Sequence, residues 1–146
     1  MTVALSGKEI AAQLEEKFPG SIVESSQDCL VVNGDSLLAV AAFLKDAPDL
    51  DFAYLNCITA VDYYEYLEVV YQLTSLEHNH SLVLKARLYD RENPTAPSVV
   101  SLWRGADFQE REIYDLMGIR FEGHPNLKHI VLWEGFKGYP LRKDYW

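Results

Sequence analysis

The chain has 146 residues, with 13 Lys and Arg against 22 Asp and Glu, a formal net charge of −9, 49% apolar residues and 24% charged ones. These are the proportions of one globular domain, and they argue against disorder, collagen-like repeats or coiled coil for the whole. They also argue against nucleic-acid binding and direct docking on anionic lipid heads, both of which draw on Lys and Arg.

Ser6 with Glu9 three residues later has the spacing of a capping box, and Ile10, Leu14 and Phe18 then recur on one helical face. Pro19-Gly20 ends that helix. Ile22 to Glu24 and Leu30 to Val32 read as short strands around the turn-like Ser25-Ser26-Gln27-Asp28. Asn33-Gly34-Asp35-Ser36 turns the chain and caps a second helix, Leu37 to Lys45, with Pro48 beyond it. The segment from Phe52 to Asp62 is apolar on both faces and is expected to be a central strand. Leu67 to Thr74 and Leu82 to Leu88 alternate with period two, as strands with one covered face do. The expected fold is α+β: two layers, with two helices on one face of a five-stranded, mixed and mostly antiparallel sheet.

The last part of the chain differs in kind. Residues 1–102 carry six basic and 15 acidic side chains, whereas residues 103–146 carry seven of each, all three Trp and five of the eight Gly. An α+β domain over 1–92 and a helical or extended tail over 93–146 is the expected organisation. Asn93-Pro94 to Pro97 reads as a loop, and Ser98 as the cap of a short helix with Val99, Leu102 and Trp103 inward. Asp107 and Glu110 form a second expected capping pair before a helix that stops at Gly118. The tail holds nine aromatic residues. Covering half of them with another chain would bury on the order of 800 Å², one partner's share of a standard interface. Wrapping of the tail onto its own domain fits the composition equally well.

The longest apolar run, Leu37 to Leu44, is eight residues, against the roughly twenty that a membrane span needs. The N-terminus lacks a basic segment followed by an apolar one, and reads as mature cytosolic protein. Cys29 and Cys57 are too few for an iron–sulfur cluster and are expected to be buried thiols of a reducing compartment. No G-x-G-x-x-G, G-x-x-x-x-G-K or G-x-S-x-G motif occurs. His78-Asn79-His80 has a spacing at which two imidazoles on a strand could share a metal ion, which would make a stand-alone metal-dependent enzyme. A polar hairpin turn is the plainer reading. Glu110-Arg111-Glu112 and Asp115 form a dense charge cluster. It is open to acid–base work, to intersubunit ion pairs, or to helix-dipole support and local pairing with Arg111, which composition favours.

The run Glu110-Arg111-Glu112-Ile113-Tyr114-Asp115-Leu116-Met117-Gly118-Ile119 is followed by Phe121, Gly123-His124-Pro125, Leu127-Lys128-His129-Ile130 and Gly138-Tyr139-Pro140-Leu141-Arg142-Lys143-Asp144-Tyr145. Together these blocks closely resemble the signature of the C subunit of respiratory NADH:quinone oxidoreductase, complex I. The resemblance is strong from about Trp103 and weaker before it. Tyr114 and Met117 stand where the family often has Trp and Phe, and His129 where it commonly has Arg. The resemblance implies a non-catalytic structural subunit of the hydrophilic arm of a proton-translocating enzyme, peripheral on the cytoplasmic side of the inner membrane. It implies no cofactor, metal or catalytic residue in this chain; NADH, FMN, iron–sulfur clusters and quinone belong to partner subunits. The tail is expected to pack on the D subunit, which with the B subunit forms the quinone site. The expected contacts are Glu110, Arg111, Glu112 and Asp115, then His124, Pro125, Pro140, Leu141, Arg142, Lys143 and Asp144. Related subunits of energy-converting hydrogenases and coenzyme F420 dehydrogenases share the signature, so it leaves the electron donor open.

Overall fold

The computed structural model describes residues 3–90, 92–125, 127 and 138–142. A two-residue strand, β1 (Val3–Ala4), leads into helix α1 (Gly7–Lys17). Ser6 caps that helix by accepting the Lys8 N–H at 3.3 Å, one position before the donor that a capping box uses. Strands β2 (Ile22–Ser25) and β3 (Leu30–Asn33) form an antiparallel pair, and a 3-10 turn over Gly34–Ser36 passes directly into α2 (Leu37–Asp46). Neither Asn33 nor Ser36 makes a side-chain cap there.

Three nine-residue strands follow: β4 (Tyr54–Asp62), β5 (Leu67–Ser75) and β6 (His80–Leu88). The sheet order is β2-β3-β6-β5-β4, with β1 alongside the start of β6. Val3 and Ala4 pair in parallel with His80 and Ser81, and Leu30 to Asn33 in parallel with Leu84 to Arg87, so two strands share one edge of β6. The other pairings are antiparallel, and the fold is the α+β class expected. One expectation fails. The apolar segment ending at Asp62 is not central: β4 closes the sheet, with β5 as its neighbour. Apolar residues on both faces report that the faces are packed, not that both edges carry a strand partner. Here the third helix, α3 (Ala106–Met117), packs along β4.

The inner face of the sheet is Leu67, Val69, Tyr71 and Leu73 of β5 with Leu82, Leu84, Ala86 and Leu88 of β6, all buried. Against it lie Ile10 and Leu14 of α1 and Val40, Ala41 and Leu44 of α2. The same cluster takes in Val99, Trp103, Ile113, Met117, Ile119 and Phe121. The Trp103 indole N–H donates to the Phe52 carbonyl at 3.1 Å, tying the 98–103 turn to the approach of β4. No helix forms at Ser98. Instead a short strand, β7 (Thr95–Pro97), pairs in parallel with β8 (Arg120–Glu122) on either side of α3. On the outer face, Glu68 lies buried between Lys85 at 3.6 Å and Arg87 at 3.3 Å, and Arg87 reaches Glu24 at 2.9 Å. Cys29 and Cys57 are free and partly exposed rather than buried.

Candidate functional site

The charged signature lies on α3, and the helical repeat separates its members. Glu110 and Asp115 are fully buried, Arg111 is half-buried and Glu112 is exposed. Glu110 does not form the expected capping pair with Asp107. The N-terminal position of α3 is Gly105, with no side-chain cap, and Asp107 sits in the first turn. Glu110 turns inward: one carboxylate oxygen accepts the Ser98 hydroxyl at 2.6 Å, the other the Val99 N–H at 2.9 Å. Burial raises its pKa above the ordinary 4.5, opposed by those two hydrogen bonds and by His124. Tyr71, on the inner face, has a buried hydroxyl with no hydrogen-bond partner among the described residues. Its pKa is also raised, by burial and then by the charge of Glu110.

Arg111 lies over the Phe108 ring at 5.5 Å, and Phe108 itself is 65% exposed. The His124 side chain is fully covered. Its Nε2 is 3.2 Å from the Asp107 carbonyl and 3.0 Å from Asp107 Oδ1, so it braces the first turn of α3 from the loop after β8. Pro125 is exposed.

The C-terminal end of α3 is built by residues distant in sequence. Gly118 takes the left-handed conformation, φ +76, and its N–H donates to the Tyr114 carbonyl. The last carbonyls of a helix have no partner within it. Here the Leu141 N–H donates to the Leu116 carbonyl at 3.0 Å, and Arg142 Nε donates to the Met117 carbonyl. Arg142 also places its cation at the negative end of the helix dipole and over the Tyr139 ring at 5.0 Å. A Cβ at position 118 would lie 2.6 Å from that ring, so glycine is required by space as well as by φ. Pro140 is half-buried, and Leu141 is 61% exposed. Lys143, Asp144 and His129 lie outside the described residues.

Of the expected contacts, α3 and residues 138–142 meet at one helix end, and His124 braces the other. Gln109 escaped sequence reasoning, as did the contact that Tyr139 of the signature makes. Gln109 accepts the Ile58 N–H of β4 at 2.6 Å through its side-chain amide. Tyr139 packs on Gly118. Neither leaves a periodic signal, because each contact spans 20 residues or more. His78 and His80 do not form a metal pair: Nε2 of His78 is 2.6 Å from the Pro48 carbonyl, and Nε2 of His80 is 2.8 Å from that of Leu50. Each ring is committed to tying the 48–50 loop to the start of β6, and no metal-like cluster occurs among the described residues.

Fold and site together define an α+β protein whose distinctive part is a helix with two buried carboxylates and a distant strap over its C-terminus. Known proteins resemble the chain in sequence and fold. The family model described as respiratory-chain NADH dehydrogenase, 30 Kd subunit, matches residues 30–146. The chain is 43% identical over 137 residues to the NADH-quinone oxidoreductase C subunit of Moorella thermoacetica, covering 91% of this chain and 90% of that one. It is 39% identical over 149 residues to the C subunit of Roseiflexus castenholzii, covering 97% and 85%. A chain in the structure of the membrane-bound sulfane sulfur reductase, an archaeal respiratory membrane complex, superposes with a TM-score of 0.75 at 27% identity, over 95% of this chain and 85% of that one. The chain belongs to the respiratory-chain NADH dehydrogenase 30 Kd subunit family.

Proposed function

We propose that the chain is a non-catalytic structural subunit of the hydrophilic arm of a proton-translocating NADH:quinone oxidoreductase, holding the quinone-site D subunit, next to the B subunit, in register with the electron carriers. The observation that carries this reading is the family match across residues 30–146, which includes both α3 and the strap that caps it. The geometry supports a positioning role. Glu110 and Arg142 are committed to the chain's own framework, whereas Phe108, Glu112 and Leu141 stand outward around the same helix. NADH, FMN, clusters and quinone would be held by partners, and the chain would sit peripherally on the cytoplasmic side of the membrane. No helix among the described residues is long and apolar enough to cross a membrane.

Because Arg142 caps α3 within this chain, reversing its charge would confound folding with assembly. Phe108→Asp is the cleaner variant. It should leave the melting temperature of the isolated chain within a few degrees while lowering its copurification with quinone-reducing membrane complex at least about tenfold, as loss of an aromatic anchor does. Undiminished copurification would count against the reading. The likeness to the sulfane sulfur reductase complex favours a second reading, an equivalent subunit in a relative such as an energy-converting hydrogenase or coenzyme F420 dehydrogenase. Assaying the purified complex with NADH, reduced coenzyme F420 and hydrogen separates the two.

A further inference from the structure

Between β4 and α3 runs a groove of about 440 Å³, with Ile58, Thr59 and Ala60 on the strand wall and Gln109, Glu112 and Leu116 on the helix wall. Among the described residues β4 has a single strand neighbour, β5, so its far side is a sheet edge. The Ile58 N–H points to that side, because it reaches Gln109 on α3. Alternation turns Ala60 the same way and Thr59 toward β5. Gln109 is held by its own amide N–H on the Gly105 carbonyl at 2.9 Å, so its side-chain oxygen stands where the carbonyl of a neighbouring strand would. This substitute partner serves Ile58. By the same alternation the next outward groups along the edge are the Ile58 carbonyl and both main-chain groups of Ala60; Ala60 borders the groove, and no hydrogen bond from α3 to these groups occurs among the described residues. A sheet edge without a strand partner recognises extended backbone where the covering helix leaves room, and its neighbouring pockets select alternate side chains.

We propose that this groove receives an extended, basic segment of another subunit of the respiratory complex, added as a strand to β4 at Ala60. The inference rests on the reading of the chain as a complex subunit. Main-chain groups on the wall fix the conformation of the occupant. Leu116 and the 61%-exposed Leu141 line the helix side and accept apolar side chains. Glu112 is the charged residue among the groove's lining and is exposed, and the residues up to 102, which include β4, carry the chain's whole net charge of −9. A second copy of this chain would bring the same acidic charge to the groove, so charge complementarity favours a basic partner over self-association.

Amide hydrogen exchange tests this on the full chain, free and in the purified complex. The Ala60 amide should exchange at least about tenfold more slowly in the complex, as an edge N–H does when it gains a strand partner. Ala60→Pro removes the outward donor but also fixes φ, so its free chain is first checked for an unchanged circular dichroism spectrum; the folded variant should show lowered incorporation, while Ala60→Val, which keeps the donor, should assemble normally. Equal exchange in the two states overturns the proposal. So does a free chain that sediments as a dimer with Ala60 already protected. If wild-type chain fails to enter any membrane complex, the subunit reading falls and takes the groove with it. An assembled complex with an unprotected Ala60 removes the groove alone.

Discussion

Glu110 works as a bracket: with no exposed surface, it holds the Ser98 hydroxyl and the Val99 N–H and so fixes α3 against the 98–103 turn. Burial keeps its proton on above the ordinary 4.5. Between that value and the raised one the folded chain binds more protons than the unfolded chain, so this group's stabilisation is complete below 4.5 and is lost as pH rises through the raised pKa. Glu110→Gln cannot ionise. Its urea midpoint should therefore gain on that of wild type as pH rises from 4.5 toward neutrality; a constant difference would show that Glu110 titrates normally. Tyr71 gives a prediction of opposite character. Its hydroxyl is buried without a partner among the described residues, and such a group costs about 1–3 kcal/mol. Tyr71→Phe should raise the melting temperature, and a fall would mean that the hydroxyl is satisfied.

At the scale of elements, α3 is stabilised at both ends by chain from elsewhere: His124 at its first turn, Leu141 and Arg142 at its last. Gly118 joins helix and strap. Gly118→Ala would meet the cost of a Cβ at positive φ, about 1–2 kcal/mol, and would also displace the Tyr139 ring. Trypsin should then cut after Arg142 several-fold faster than in wild type, and an unchanged rate would show that the strap does not depend on that contact. How much of this was legible in the sequence follows from the range of each interaction. Helices α1 and α2, five strands and the stop at Gly118 have local signatures in periodicity, capping residues and glycine. The edge position of β4 has none, since Ile58 and Ala60 look alike beside a strand or beside a helix. Glu110 was visible as part of a charged run, but its inward turn depends on Ser98, 12 positions away at the end of the paired strand β7. The role of Arg142 was hidden for the same reason: the carbonyl it caps lies 25 positions away.

Across the whole molecule, the shift in charge after residue 102 does not coincide with a gap in the core. One buried cluster runs from Ile10 to Phe121, and it includes Trp103, Ile113, Met117 and Ile119 beside the sheet residues of the first 92 positions. Contacts shared in this way couple the two parts energetically, so the described fold should unfold as one cooperative unit. Trp103 is the clearest probe, because it is 5% exposed and its N–H holds the Phe52 carbonyl just before β4. Trp103→Ala should cost about 3–5 kcal/mol, the usual penalty for deleting a buried aromatic, and should do so without splitting the transition. Urea unfolding followed by far-ultraviolet circular dichroism, which reports helices and sheet, and by tryptophan fluorescence, which arises entirely after residue 102, should give coincident curves. A chain cut after residue 92 should lose the cooperative transition, since it removes Val99, Trp103, Ile113, Met117, Ile119 and Phe121 from the shared core and leaves only α1 and α2 against the sheet. Two separate transitions, or a truncated chain that melts as sharply as the whole, would mean that the first 92 residues form a self-sufficient core on which the rest merely rests.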